Sequence, residues 1–127
     1  MGGAAEVQIE DLRRRWPDVR TQELPSGAIL VTIGSISLPP GWSRAATSIR
    51  FLVPTGYPFA APDCFWADND LTLEGGRMPC SAGNNNMIPE TAEPGLWFSW
   101  HVQAWNPNRD TLSSWINTIA DRLRRLQ

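Results

Sequence analysis

Three side chains in this chain can do nucleophilic or acid–base chemistry near neutral pH: the thiols of Cys64 and Cys80 and the imidazole of His101. Cys80 lies in Pro79-Cys80-Ser81-Ala82-Gly83, a run of small residues that reads as an exposed loop. A nucleophilic cysteine needs exposure and thiolate character, and Arg77 and His101 are the cations available to it. Cys64 sits in Cys64-Phe65-Trp66, an apolar strand-like run where a thiol behaves as a small core residue. His101 has two readings. It is either a proton donor or acceptor, or a ring packed among Trp97, Trp100 and Trp105 with one hydrogen bond. Ser99 stands two residues away, but a serine hydrolase also needs an acid and a nucleophile elbow, and neither is visible. Cys64, Cys80 and His101 are spaced 16 and 21 apart, three soft ligands where zinc wants four in close pairs. No metal and no cofactor is expected.

The elements that must position these groups are those of one domain spanning 1–127. A hydrophobic content of 42% against 19% charged residues is that of a chain that folds. A formal net charge of −2 gives no electrostatic case for nucleic acid. No apolar run approaches a membrane span and no signal-peptide pattern opens the chain, so a soluble cytoplasmic protein with reduced thiols is expected. All eleven cations are arginine. Codon bias explains that; so does work beside a lysine-modifying pathway, where a side-chain amine would be a target.

Residues 5–16 read as a helix: Ile9, Leu12 and Trp16 recur at helical spacing, Glu10/Arg14 and Asp11/Arg15 are i,i+4 pairs, and Pro17 ends it. The Arg13-Arg14-Arg15 run is either a solvated face or a docking surface. Short strands follow at Gly27–Ile33, at Thr47–Val53, where Ile49, Phe51 and Val53 share a face, and at Cys64–Trp66. From Asp68 to Asn108 periodicity is weak, and Gly75-Gly76, Asn84-Asn85-Asn86, Pro89, Pro94 and Gly95 read as long irregular chain. Trp97, Trp100 and Trp105 are expected to pin that segment to the domain. Leu112, Trp115, Ile116, Ile119, Leu123 and Leu126 then define an amphipathic helix, with Asn108 or Asp110 as cap and Arg122, Arg124 and Arg125 at the negative end of its dipole. The expected class is α+β: a helix, a four-stranded antiparallel meander, an irregular segment around the active-site region, and a closing helix.

Several ordered motifs carry a resemblance. Tyr57-Pro58-Phe59-Ala60-Ala61-Pro62 after a strand, followed by Trp105-Asn106-Pro107 before the last helix, resembles the ubiquitin-conjugating fold. With Leu38-Pro39, Gly41-Trp42, Val53-Pro54, Pro62-Asp63, Phe65-Trp66 and Phe98-Ser99-Trp100-His101, the chain is similar over nearly its whole length to the bacterial lineage called prokaryotic conjugating-enzyme family E. The resemblance implies structural turns at Tyr57, Pro58, Pro62 and Pro107, and as partners a ubiquitin-like modifier and its activating enzyme. It also implies an operon with an isopeptidase-type metalloprotease; related bacterial systems have been linked to phage defence. Conjugating enzymes meet their activating enzyme through the first helix, which makes Arg13 and Arg14 binding candidates beside Trp97, Trp100 and Trp105.

The departures bear on catalysis. Asp68-Asn69-Asp70 replaces the family's His-Pro-Asn, whose asparagine donates to the oxyanion when an amine attacks the thioester. Loss of such a donor costs on the order of 10²–10³ in rate. Asn69, or the Asn84–Asn86 run, is the available substitute. Counting eight residues back from Trp105 reaches Trp97, not cysteine, whereas counting forward from the fourth strand reaches Cys80. Both counts hold if an insertion follows Cys80, which is then the sole candidate carrier. Three readings therefore stand: a non-catalytic or atypical module that binds modifier or activating enzyme, a transferase carrying the modifier as a thioester on Cys80, and a tryptophan-rich peptide-binding adaptor.

Overall fold

The computed structural model describes residues 3–127. Helix α1 (Ala4–Arg15) leads into β1 (Arg20–Glu23), β2 (Ile29–Ser37), β3 (Ala46–Val53) and β4 (Asp63–Ala67). A single 3-10 turn at Glu74–Gly76 precedes β5 (Ala82–Met87) and β6 (Pro94–His101), and α2 (Leu112–Leu123) closes the chain. The class is α+β. Every strand pairing is antiparallel, in the order β1-β2-β3-β4-β6-β5. The four-stranded meander is therefore there, but it is part of a six-stranded sheet.

The two added strands correct the expectation of an irregular 68–108 segment. In β6, Leu96 and Phe98 turn into the core and Ser99 and His101 are exposed, a period-2 pattern hidden in sequence by its tryptophans and by Pro94-Gly95. β5 is Ala-Gly-Asn-Asn-Asn-Met, with little strand propensity; it forms because β6 offers it an edge to pair with. A bulge between Gly83 and Asn86 bends it, with Asn85 in the left-handed region. The hairpin fills the interval between Cys80 and Trp105 with structured chain. β1 also goes beyond the expected runs: Arg-Thr-Gln-Glu, all exposed, carries no alternation to read.

The main core joins both helices to one face of the sheet: Ile9 and Leu12 from α1, Trp115, Ile116 and Ile119 from α2, and Val31, Ile33, Ile49, Phe51, Phe65, Leu96 and Phe98 from the strands. Phe65 and Phe98 stack at 4.6 Å, and Trp115 meets Phe65 and Phe51 edge-on. A smaller cluster of Leu24, Leu30, Trp66 and Ile88 covers the other face, with Cys64 and Trp97 against it. The tip of the β5–β6 hairpin folds over that face. Glu90 accepts hydrogen bonds from the Ser26 N–H (2.9 Å) and hydroxyl (2.6 Å), and Glu93 pairs with Arg50 at 3.2 Å.

Local expectations shift by a residue or two. The α1 ion pairs run i,i+3, Arg13 to Glu10 and Arg14 to Asp11, not i,i+4. Thr111, not Asn108 or Asp110, caps α2, in a reciprocal box with Ser114. Asp110 instead accepts from the Asn106 N–H (2.8 Å) and ties the turn before the cap. Leu126 lies past the end of α2 and is exposed.

Candidate functional site

Cys80 is exposed, immediately before β5. The feature that fixes it is Arg122, buried at 1% relative exposure on the core face of α2. Its guanidinium donates to the Cys80 carbonyl (2.6 Å), the Gln127 carbonyl (2.9 Å) and the Arg125 carbonyl (3.2 Å). It also lies 5.1 Å from the Phe98 ring centre and 5.5 Å from that of Trp100. Burial holds the Arg122 pKa below the usual arginine value, an effect the neighbouring Cys80 opposes and Arg125 reinforces. Arg122 thus carries a charge at the carbonyl of the cysteine itself, a role beyond the helix-dipole one expected of it. A signal was available: residue 122 is seven past Trp115 and three past Ile119, on the buried stripe of the helix.

Cys64 behaves differently. It is half-buried, with burial pushing its thiol up and the Trp97 hydrogen bond partly offsetting that. It takes a left-handed backbone at the bulge in the β4–β6 pairing.

His101 is not a packed ring among tryptophans. Its side chain is 59% exposed at the end of β6, where its Nδ1 stands 4.0 Å from the Asp63 carboxylate. The tryptophans part company. Trp97 joins the outer cluster, Trp100 is flanked by Arg122 and Arg125, and Trp105 packs against Tyr57 at 5.8 Å. Trp105 Nε1 donates to the Pro58 carbonyl (2.7 Å), so the two family motifs meet in space. Between them Tyr57 follows Pro54-Thr55-Gly56, the Tyr57–Pro58 bond is cis, Pro62 is buried, and Pro107 is half-buried in the turn before α2. The Tyr57 hydroxyl donates to Gln8 Oε1, which also accepts from the Leu112 N–H (2.8 Å), so the turn is tied to both helices. Burial raises the Tyr57 pKa to about 12, with Gln8 opposing and Asp110 adding to the shift.

Where the resemblance expects His-Pro-Asn, carboxylates are tied down. Asp68 accepts from Arg44 (2.9 Å), from the Ser48 N–H (3.3 Å) and from the Ser48 hydroxyl, and Asp70 pairs with the same arginine. Asn69 is engaged by Asn85: its Nδ2 donates to Asn85 Oδ1 (2.9 Å) and its Oδ1 accepts from the Asn85 N–H (2.6 Å). These bonds orient the Asn69 amide toward the β5 bulge.

A groove of about 320 Å³ runs along the end of β6 and the outer side of α2, lined by Ser99, Trp100, His101, Val102, Thr118, Asp121 and Arg125. Trp100 joins this groove to Arg122, and Arg122 joins it to Cys80. Arg13 and Arg14 stand on α1, remote in sequence from these groups and each paired with a carboxylate of its own helix. Among the described residues no cluster of three potential ligands is placed to hold a metal ion, and no helix is long and apolar enough to cross a membrane.

Neither the curated proteins nor the solved structures contain a match to this chain. A family comparison does match, over residues 14–126, from within α1 through the end of α2. With the meander, the joined Tyr-Pro and Trp-Asn-Pro turns and the closing helix in place, the chain belongs to prokaryotic E2 family E.

Proposed function

We infer that this protein is a conjugating-enzyme-like component of a bacterial ubiquitin-like modifier pathway, serving as a non-catalytic or atypical module that binds the modifier or its activating enzyme. Family membership supports the pathway role. The observation that carries the non-catalytic part is the commitment of the Asp68-Asn69-Asp70 segment. Both aspartates bind Arg44, and the Asn69 amide is held by Asn85 through two hydrogen bonds. An oxyanion donor must be free and oriented beforehand when an amine attacks the thioester, and this amide is already engaged by Asn85.

A second reading has its own support. Cys80 is exposed and its carbonyl is clamped by a buried guanidinium, an arrangement suited to a thioester carrier. In that reaction the Cys80 sulfur would attack an adenylated modifier C-terminus, form the thioester and release adenylate. An amine or hydroxyl would then take the acyl group and return the thiol.

One experiment separates them. The protein is incubated with its cognate activating enzyme, ATP and modifier, and resolved with and without reductant; binding is measured by calorimetry. Binding of modifier or activating enzyme with no reductant-sensitive adduct is the expected result. An adduct lost in Cys80→Ala and kept in Cys64→Ala would replace the module with the transferase.

A further inference from the structure

We propose that the free edge of β1 is a docking site for an extended peptide with acidic and basic side chains at alternating positions, which joins the sheet as an added strand.

β1 ends the sheet, pairs only with β2, and all four of its residues are exposed. The hairpin that follows fixes which way its backbone faces. The Leu24 N–H donates to the Ala28 carbonyl and the Leu24 carbonyl accepts from the Gly27 N–H, both at 2.8 Å. Leu24 therefore turns both groups toward β2. Alternation along an antiparallel strand then turns Gln22 and Arg20 inward and Thr21 and Glu23 outward. The N–H and carbonyl of Thr21 and Glu23 lie along the free edge, with no backbone partner from any loop or helix among the described residues.

The same alternation sorts the side chains. Arg20 and Gln22 share the outer face with buried Leu24, while Thr21 and Glu23 face the helix side. A hollow lies on each face of the sheet beside β1, the outer one reaching across Leu30 and Thr32 of β2 to Arg50 of β3. The outer one, about 290 Å³, is bounded by Arg20, Gln22, Arg50 and Glu93; since Glu93 pairs with Arg50, Arg20 gives it a net positive charge. The helix-side one, about 390 Å³, is bounded by Glu6, Ile9, Glu10, Arg13 and Ile29; since Arg13 pairs with Glu10, Glu6 gives it a net negative charge. A strand added here sends successive side chains to opposite sides. An acidic residue suits the Arg20 side, and the next residue, a base with an apolar stem, suits Glu6 with Ile9 and Ile29.

A second copy of the chain fits less well. Antiparallel pairing of two β1 edges keeps like faces together and sets one cationic hollow beside the other.

The test uses the intact protein and no pathway component, so its outcome is independent of the function inferred above. A labelled, end-capped peptide of alternating glutamate and lysine is titrated by fluorescence anisotropy, alongside a peptide of equal composition with the two residues in separate blocks. The alternating peptide should bind at least about tenfold tighter, with amide shifts centred on Thr21 and Glu23. Thr21→Pro removes an outward N–H and no ladder bond, so it should keep the unfolding midpoint and weaken binding about tenfold. Arg20→Glu leaves the backbone intact and should weaken binding several-fold, which keeps the proposal testable if the proline disturbs the edge. Equal binding of the two peptides, no binding, or binding untouched by both variants would overturn it. So would a dimer of the protein that Thr21→Pro dissolves, because the edge would then serve a second copy.

Discussion

A buried arginine is costly unless its donors are satisfied, and Arg122 meets that cost with three carbonyls and two aromatic rings. Truncation would leave the Cys80 carbonyl without its partner and open a cavity beside Phe98. Arg122→Ala is expected to lose about 2–4 kcal/mol in chemical denaturation, and Arg122→Lys less, since an ammonium keeps the charge but not the fork. Tyr57 offers a cleaner titration because it is the chain's only tyrosine. Its pKa is raised to about 12, mainly by burial, so the fold favours the neutral phenol. The stability this contributes is complete below about pH 10, the unfolded value, and is lost as pH rises toward 12. Phenolate absorbance should therefore titrate late in the native protein and near pH 10 in denaturant. Thermal unfolding of Tyr57→Phe should lack the extra alkaline loss that the wild type shows in that window. At this scale sequence named Cys80 and His101 but could not give their surroundings. The Arg122 clamp joins residues 42 apart in the chain, and the Asp63–His101 pair needs a β4–β6 ladder that no local pattern announces.

Elements were legible in proportion to how one-sided their burial is. α2 carries an apolar stripe broken by Arg122 and β3 alternates strictly, so both elements were readable from their patterns. β1 has four exposed residues and β5 is mostly small and amide side chains, so neither has a face to reveal and both depend on a neighbouring strand. The start of α2 shows how near misses arise. Asn108, Asp110 and Thr111 are all good caps by type, and the turn decides among them. Asn106 accepts from the Asn108 N–H (2.9 Å) and Asp110 holds the Asn106 N–H, leaving Thr111 to accept from the Ser114 N–H (3.2 Å). Ser114 Oγ accepts from the Thr111 N–H (2.8 Å) in return. Thr111→Ala should therefore cost about 0.5–2 kcal/mol in thermal or urea unfolding. Asn108→Ala should cost much less, because its side chain makes no capping bond. Equal losses at the two positions would mean that the helix starts earlier than described.

For the whole molecule, the open question is whether the β5–β6 hairpin is an appendage or part of one cooperative unit. Two attachments argue for unity. Leu96 and Phe98 are fully buried in the main core, so the hairpin cannot leave without exposing it. At the far end Ile88 is buried in the outer cluster, and Glu90 bridges to the β1–β2 turn through Ser26. Glu90 does this from the left-handed region, at φ 64°, a conformation a glutamate adopts only when its contacts offset the strain. Glu90→Ala removes the bridge and keeps the strain, whereas Glu90→Gly removes both. Hydrogen exchange at the Ser26 amide should speed up in both variants, and the global loss should be about 1–2 kcal/mol for alanine and smaller for glycine. Far-ultraviolet dichroism, which reports the helices and sheet, and the fluorescence of the seven tryptophans should still change together in denaturant. Two separated transitions would show that the hairpin unfolds on its own. Exchange at Ser26 unaffected by either substitution would show that the tip is held by Ile88 and the Arg50–Glu93 pair without Glu90.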